Sequence, residues 1–72
     1  MPDASFYFEQ AFNYKKVDDY ENAIQDYDRA IQLDPSYASA YNDRGRAYYN
    51  LGKYAEADAD KAKACSLDKQ YC

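Results

Sequence analysis

The sequence predicts an all-α protein of two antiparallel helix-turn-helix hairpins, on three observations. The chain repeats itself at 34 residues, its apolar positions recur at helical spacing, and Gly, Asp and Pro fall where helices would end. Of the 38 residue pairs that a 34-residue shift aligns, 11 are identical, where chance would give roughly three or four. The 72 residues are read as a single domain, with one unit over about 4–37 and a second over about 38–71.

The elements follow in order. Tyr7, Ala11 and Tyr14 sit at the i, i+4, i+7 spacing of one helical face, predicting a helix over 4–16. "KKVDDY" interrupts that pattern; Asp18 tolerates the left-handed conformation that ends a helix better than most residues. Tyr20, Ala23, Tyr27 and Ala30 predict a helix over 20–33. "LDPSY" then separates the units: Pro35 stops one helix or starts the next, and Asp34 or Ser36 is expected to cap free amides. Tyr41, Gly45 and Tyr48 predict a helix over 38–50, and Gly52 is suited to end it. Tyr54, Ala57, Lys61 and Ala64 predict the last helix, over 54–67.

Leu, Ile, Val and Phe together number only 9, against 10 Tyr and 12 Ala. A chain this short lies near the lower limit for a self-sufficient core. Large tyrosines alternate with Ala or Gly one turn away, so each ring can enter a notch on the partner helix. A tyrosine also buries its ring while its hydroxyl stays wet, which suits a core two helices deep. The tyrosines are therefore read as packing residues.

These residues, Tyr7, Ala11, Tyr14, Tyr20, Ala23, Tyr27, Ala30 and Pro35 with Tyr41, Gly45, Tyr48, Tyr54, Ala57 and Ala64, resemble the pattern of the tetratricopeptide repeat (TPR) family. Arg44 departs from it where the family usually has leucine, Lys61 where it prefers an aromatic, and Lys69 where it has proline, departures expected to weaken the second unit's packing more than its identity. The resemblance implies hairpins stacked as a short right-handed α-solenoid. It further implies a concave groove lined by the first helix of each repeat, and a protein–protein interaction function.

Ile24, Tyr27 and Ile31 of the first unit become Asp58, Lys61 and Cys65 in the second. A polar outer face is what the terminal unit of a repeat array needs. Two units are also fewer than the three usually required. The alternative function is accordingly structural: an end-cap, or a piece that self-associates through the first helix, where Phe6 needs a cover.

One stripe of each first helix is left over by the repeat pattern. It holds Phe8, Phe12, Lys15 and Lys16 in the first unit, and Asn42, Arg46, Tyr49 and Asn50 in the second. It carries three cations and no acid in a chain of net charge −4, so the expected partner is another protein or peptide of acidic character. Lys15 and Lys16 also suit a helix C-terminus without any ligand. Some members of the family grip the terminal carboxylate of chaperone tails with lysine and asparagine. The matching positions hold Phe8, Phe12 and Asp43, so that clamp is not expected.

Cys65 and Cys72 are seven apart, roughly 10.5 Å along an unbroken helix and beyond disulfide reach. A tail folding back after Leu67 would close the bridge and staple a small domain; a buried Cys65 beside a loose Cys72 is the other reading. A free pair goes with a cytosolic protein, the compartment favoured, and a bridge with an exported one. The start "MPDASFYFEQAF" lacks the basic segment and apolar run of a signal peptide. Acidity argues against nucleic acid, and no apolar run is long enough to cross a membrane. Without histidine there is no Cys–His or Ser–His pair, so no enzyme is expected. "DAD" at Asp58 to Asp60 lacks the glycine turn and distal glutamate of a calcium loop. It is read, like "DDYE" and "DYD", as solvated helix surface, and no cofactor or metal is called for.

Overall fold

The computed structural model describes all of residues 1–72 as α1 (Ala4–Lys16), α2 (Tyr20–Leu33), α3 (Ala38–Asn50) and α4 (Tyr54–Leu67), with a 3₁₀ turn at Lys69–Tyr71. All four helices fall on the stretches read from the sequence. Helices α1 and α2 pair as one hairpin and α3 and α4 as the other, and α2 against α3 joins the two. The stack that results measures 30 × 24 × 17 Å.

Each hairpin turns by the same device. The Asp18 N–H donates to Lys15 O at 3.0 Å and the Asp19 N–H to Tyr14 O at 3.0 Å. In the second unit Gly52 donates to Tyr49 O at 3.0 Å and Lys53 to Tyr48 O at 2.9 Å. This paired closure satisfies carbonyls the helix end leaves free, and it needs a left-handed residue. Gly52 supplies φ 77° and Asp18 φ 60°. Glycine does so without a Cβ penalty, aspartate with one.

The helix starts are less alike. Asp3 caps α1, accepting from the Phe6 N–H at 2.9 Å, and that bond holds its carboxyl below the usual range. Asp19 caps α2, accepting from the Asn22 N–H at 3.3 Å. Neither Tyr37, before α3, nor Lys53, before α4, offers a side-chain cap. The expected capping by Asp34 or Ser36 is therefore not formed. The Asp34 carboxylate instead accepts from the Ser36 N–H at 3.1 Å, closing its own turn two residues on, and Ser36 lies one position too early to cap α3.

The core is built of alanine around one ring. Ala11, Ala23, Tyr27, Ala30 and Ala40 form a buried cluster drawn from α1, α2 and α3. Ala47, Ala57 and Ala64 are buried in the second hairpin. Tyr27 is the one large side chain fully buried. Tyr7, Tyr14 and Tyr37 pack against the cluster but stay half-buried, as their wet hydroxyls require. Gly45 marks the tightest approach: a Cβ there would lie 3.1 Å from Asp60 Cβ and 3.2 Å from Ala57 O.

Burial pushes the hydroxyls of Tyr27, Tyr37 and Tyr48 above their ordinary pKa, and nearby Asp43 adds to the effect at Tyr27. The Tyr27 hydroxyl is buried and makes no hydrogen bond. An orphaned polar group of this kind costs about 1–3 kcal/mol. Tyr27→Phe keeps the ring and removes the orphan, so it is expected to raise stability by about 1 kcal/mol, or roughly 4–8 °C in Tm. A thermal melt checks this.

The same three tyrosines set an alkaline limit. The unfolded chain gives up tyrosine protons near pH 10, while the folded protein holds these three longer. Their contribution is complete below about pH 10 and is lost as pH rises toward their folded pKa values. Tyrosinate absorbance is expected to rise in two stages above about pH 10, the second coinciding with loss of helical circular dichroism.

Candidate functional site: two hollows and a buried ion network

The predicted stripe divides between two hollows. Phe8 and Phe12 border an open one of about 370 Å³ on α1, together with Glu9 and Asn13. Asn42, Arg46 and Tyr49 line a second of about 200 Å³, whose other walls are Gly45 of α3 and Ala57, Asp58 and Lys61 of α4. Lys15, Lys16 and Asn50 line neither. Acids stand at both rims, Glu9 in one case and Asp58 in the other, although the stripe itself has none.

One premise of the stripe needs correcting. Phe8 is not left over by the core: its ring stacks on Tyr37, the residue before α3, at 5.0 Å and 23° and lies 5.7 Å from Tyr27. Phe12, 39% exposed, is free of such packing. The ammonium groups of Lys15 and Lys16 lie 5.0 and 5.1 Å from the centre of its ring, close enough for cation–π attraction. Tyr49 is exposed and meets Tyr54 edge-on at 5.0 Å. The Asn50 amide turns back to donate to Arg46 O at 2.9 Å, so it supports the helix end. Lys15, Lys16 and Arg46 make no ion pair.

Sequence reasoning missed a polar network beside these hollows. Arg44 donates from Nε and Nη2 to the two oxygens of Asp60 at 2.8 and 2.7 Å, and from Nη1 to Asp28 Oδ1 at 2.8 Å. One guanidinium thus ties α2, α3 and α4, and Asp60 holds its pKa well above the ordinary arginine value. The first unit has the neutral version, with Gln10 Nε2 donating to Asp26 Oδ2 at 2.8 Å. Asp26 and Asp60 are only 3% and 5% exposed, so the reading of "DYD" and "DAD" as solvated surface fails at these two carboxylates. Arg44 does not weaken the second unit's packing, as its departure from the family pattern implied. It fills leucine's place with an aliphatic stem and a paired head. The legible signal was a hydrogen-bonding residue 16 positions before an identical Asp in both units.

Cys65 and Cys72 are joined as a disulfide, with Cα atoms 4.6 Å apart. The 3₁₀ turn at Lys69–Tyr71 folds the tail back, in the manner the closed alternative required. Asp68 organises that turn by accepting from the Gln70 N–H at 3.1 Å and Gln70 Nε2 at 2.8 Å, which holds its carboxyl below the usual range. No group of three or more carboxylate or cysteine side chains converges as a metal site. No helix is long and apolar enough to cross a membrane.

Residues 13–52 match the family model for the TPR repeat, and residues 38–71 match that for the tetratricopeptide repeat. The chain belongs to the tetratricopeptide repeat family. It is 47% identical over 62 residues to human serine/threonine-protein phosphatase 5, a match covering 86% of this chain and 12% of the phosphatase. Protein SGT1 homolog of Oryza sativa subsp. japonica is 47% identical over 51 residues, 71% of this chain and 14% of that protein. The chain therefore spans a small fraction of these relatives. Among solved structures, the first TPR of Spaghetti (RPAP3) bound to HSP90 peptide SRMEEVD superposes with a TM-score of 0.91 at 31% identity, covering 94% of this chain and 54% of that one.

The ion network of this TPR unit is testable by a double-mutant cycle. Arg44→Leu leaves the Asp60 carboxylate buried without its partner and is expected to cost about 3 kcal/mol. Arg44→Leu with Asp60→Ala is expected to cost less than Arg44→Leu alone, because the stranded charge is gone. Urea unfolding of the four proteins measures both.

Proposed function

We propose that the chain is a protein-interaction module that binds an acidic peptide across its first helices, through Phe8, Phe12, Lys15, Lys16, Asn42, Arg46, Tyr49 and Asn50. The observation that carries the reading is the cation set. Lys15, Lys16 and Arg46 stand without any carboxylate partner in a protein of net charge −4, and two of them flank an exposed ring. Charge and apolar surface together suit acidic side chains next to a hydrophobic one. The similarity to a TPR solved with the acidic peptide SRMEEVD supports a partner of this kind.

The proposed grip is on acidic side chains and not on a chain terminus, since Phe8, Phe12 and Asp43 offer no donor for a terminal carboxylate. No catalytic role is assigned. The match to the phosphatases covers 62 residues and 12% of their length, and it carries none of their chemistry to this chain. A structural end-piece that self-associates is the second reading, favoured by the exposed Phe6 at 48%.

The test uses SRMEEVD with its C-terminus amidated. It is expected to bind as well as the free acid does, and Arg46→Glu combined with Lys16→Glu is expected to weaken it at least tenfold without changing the circular dichroism. Unchanged affinity in that variant removes the groove; mass that grows with protein concentration in the absence of peptide favours self-association.

A further inference from the structure

The two units close their second helices with the same backbone and hold that backbone by different means. After α2 the Tyr37 N–H donates to Asp34 O at 3.1 Å, and after α4 the Tyr71 N–H donates to Asp68 O at 3.1 Å. Asp34 and Asp68 are both extended, and each carboxylate accepts from the N–H two residues on, that of Ser36 or of Gln70, at 3.1 Å. Residues 68–71 are thus the second unit's copy of the turn at 34–37.

The first turn has apolar anchors of its own. Pro35 stands second in it, where a ring that fixes φ favours the turn before it forms. Tyr37 stacks on Phe8 at 5.0 Å, and both Tyr37 and Ile31 pack against the buried cluster. The second unit has replaced each of these. Lys69 takes the place of Pro35, Asn42 that of Phe8 and Cys65 that of Ile31. Tyr71 meets no aromatic ring. Cysteine apart, the turn keeps two bonds from Gln70 to the Asp68 carboxylate and backbone bonds from Tyr71 and Cys72 at 3.1 and 3.0 Å. Gln70 and Cys72 are exposed, so water competes for such bonds and each adds little.

Cys72 falls at the place of Ala38, the residue that opens α3. Its bond to Cys65 spans the turn, from the last turn of α4 to the residue beyond Tyr71. A covalent link stands where the first unit uses proline, stacking and an aliphatic side chain. Cys72 is exposed and Cys65 half-buried, so a small thiol can reach the bridge from the Cys72 side.

We infer that the Cys65–Cys72 bridge is a redox latch. Oxidised, it keeps residues 68–72 folded back on α4; reduced, it releases them and leaves the rest of the domain intact. The reductant is a dithiol. One of its thiolates attacks Cys72 Sγ, and the Cys65 sulfur leaves as a thiolate that takes up a proton. The reductant's second thiol, losing its own proton, then displaces Cys72, which leaves and is protonated in turn. Two electrons pass to the protein sulfurs and the reductant ends as a disulfide. The domain survives because its buried residues extend no further than Ala64, and the Arg44 network no further than Asp60. The latch is independent of the proposed peptide groove, since none of residues 65–72 belongs to it.

The experiment measures backbone ¹⁵N order parameters of the oxidised protein and again after reduction with dithiothreitol. Values at Gln70 and Tyr71 are expected to fall from about 0.85 to below about 0.6, while Ala30 and Ala47 stay near about 0.85. Cys72→Ser is expected to reproduce the reduced state without reductant. Returning the first unit's anchors, as Asn42→Phe with Lys69→Pro, is expected to keep Gln70 and Tyr71 above about 0.6 after reduction. Asp68 is already extended, as the residue before a proline must be. Should the double variant lose circular dichroism, Lys69→Pro alone leaves α3 untouched and carries the same expectation. Three results would overturn the inference. A tail as ordered after reduction as before shows that the hydrogen bonds suffice. Equal loss of order at Ala30 and Ala47 makes the bridge a staple of the whole domain. A reduced tail that stays loose with the anchors returned shows that the bridge does not stand in for them.

Discussion

The distance at which the two helices of a hairpin can approach is the constraint on which this structure depends. It is set by Ala11 in the first hairpin and Gly45 in the second, where an added Cβ would lie only 3.1 Å from Asp60 Cβ and 3.2 Å from Ala57 O. With so few branched aliphatics in the chain, close backbone contact supplies packing that larger side chains would otherwise provide. Alanines then line the contact, and the tyrosines ring it. Only Tyr27 is drawn wholly inside, because it sits where α2 faces both α1 and α3. The price of that position is a hydroxyl with no partner.

Charge completes what the small core leaves undone. A guanidinium shared between Asp28 and Asp60 is directional in a way that alanine contacts are not. It fixes the second hairpin against α2 as well as closing it internally. In the first hairpin Tyr37, just before α3, stacks on Phe8, and there the same position is met by a neutral Gln10–Asp26 bond. The two hairpins are thus alike in backbone and unlike in what holds them. Stability in such arrays is a sum of unit and interface terms, and here aromatic packing dominates one unit and ion pairing the other.

That division explains what could be read from the sequence. Helix positions followed from period and punctuation, and both left-handed turn residues, Asp18 and Gly52, were visible in the alignment of the two units. What a side chain meets across the structure was not. Phe8 looked spare because a one-helix pattern cannot show that Tyr37 arrives over it. Asp26 and Asp60 looked solvated because carboxylates usually are, and their burial depends on a partner 16 residues away on another helix. Arg44 looked like a loss because its hydrophobic stem and its paired head are separate facts, and only the second requires coordinates. Of the candidate stripe, Asn42, Arg46 and Tyr49 line one hollow because they share a helix face, whereas Lys61, which faces them, lies on α4.

The pattern of divergence between the units carries the functional argument. Positions that hold each hairpin together are kept: the small residue at the crossing, the left-handed turn, and the carboxylates at 26 and 60. Positions of the first unit that pack toward α3 are changed, from Phe8 and Tyr27 to Asn42 and Lys61. A surface that needed only to stay soluble could have taken any polar residues there. Here the floor remains small while the walls present Arg46 and Lys61, neither of them ion-paired, beside Asp58. Retained shape with altered charge is the pattern of a face still open to packing that no longer suits the apolar contacts its counterpart makes.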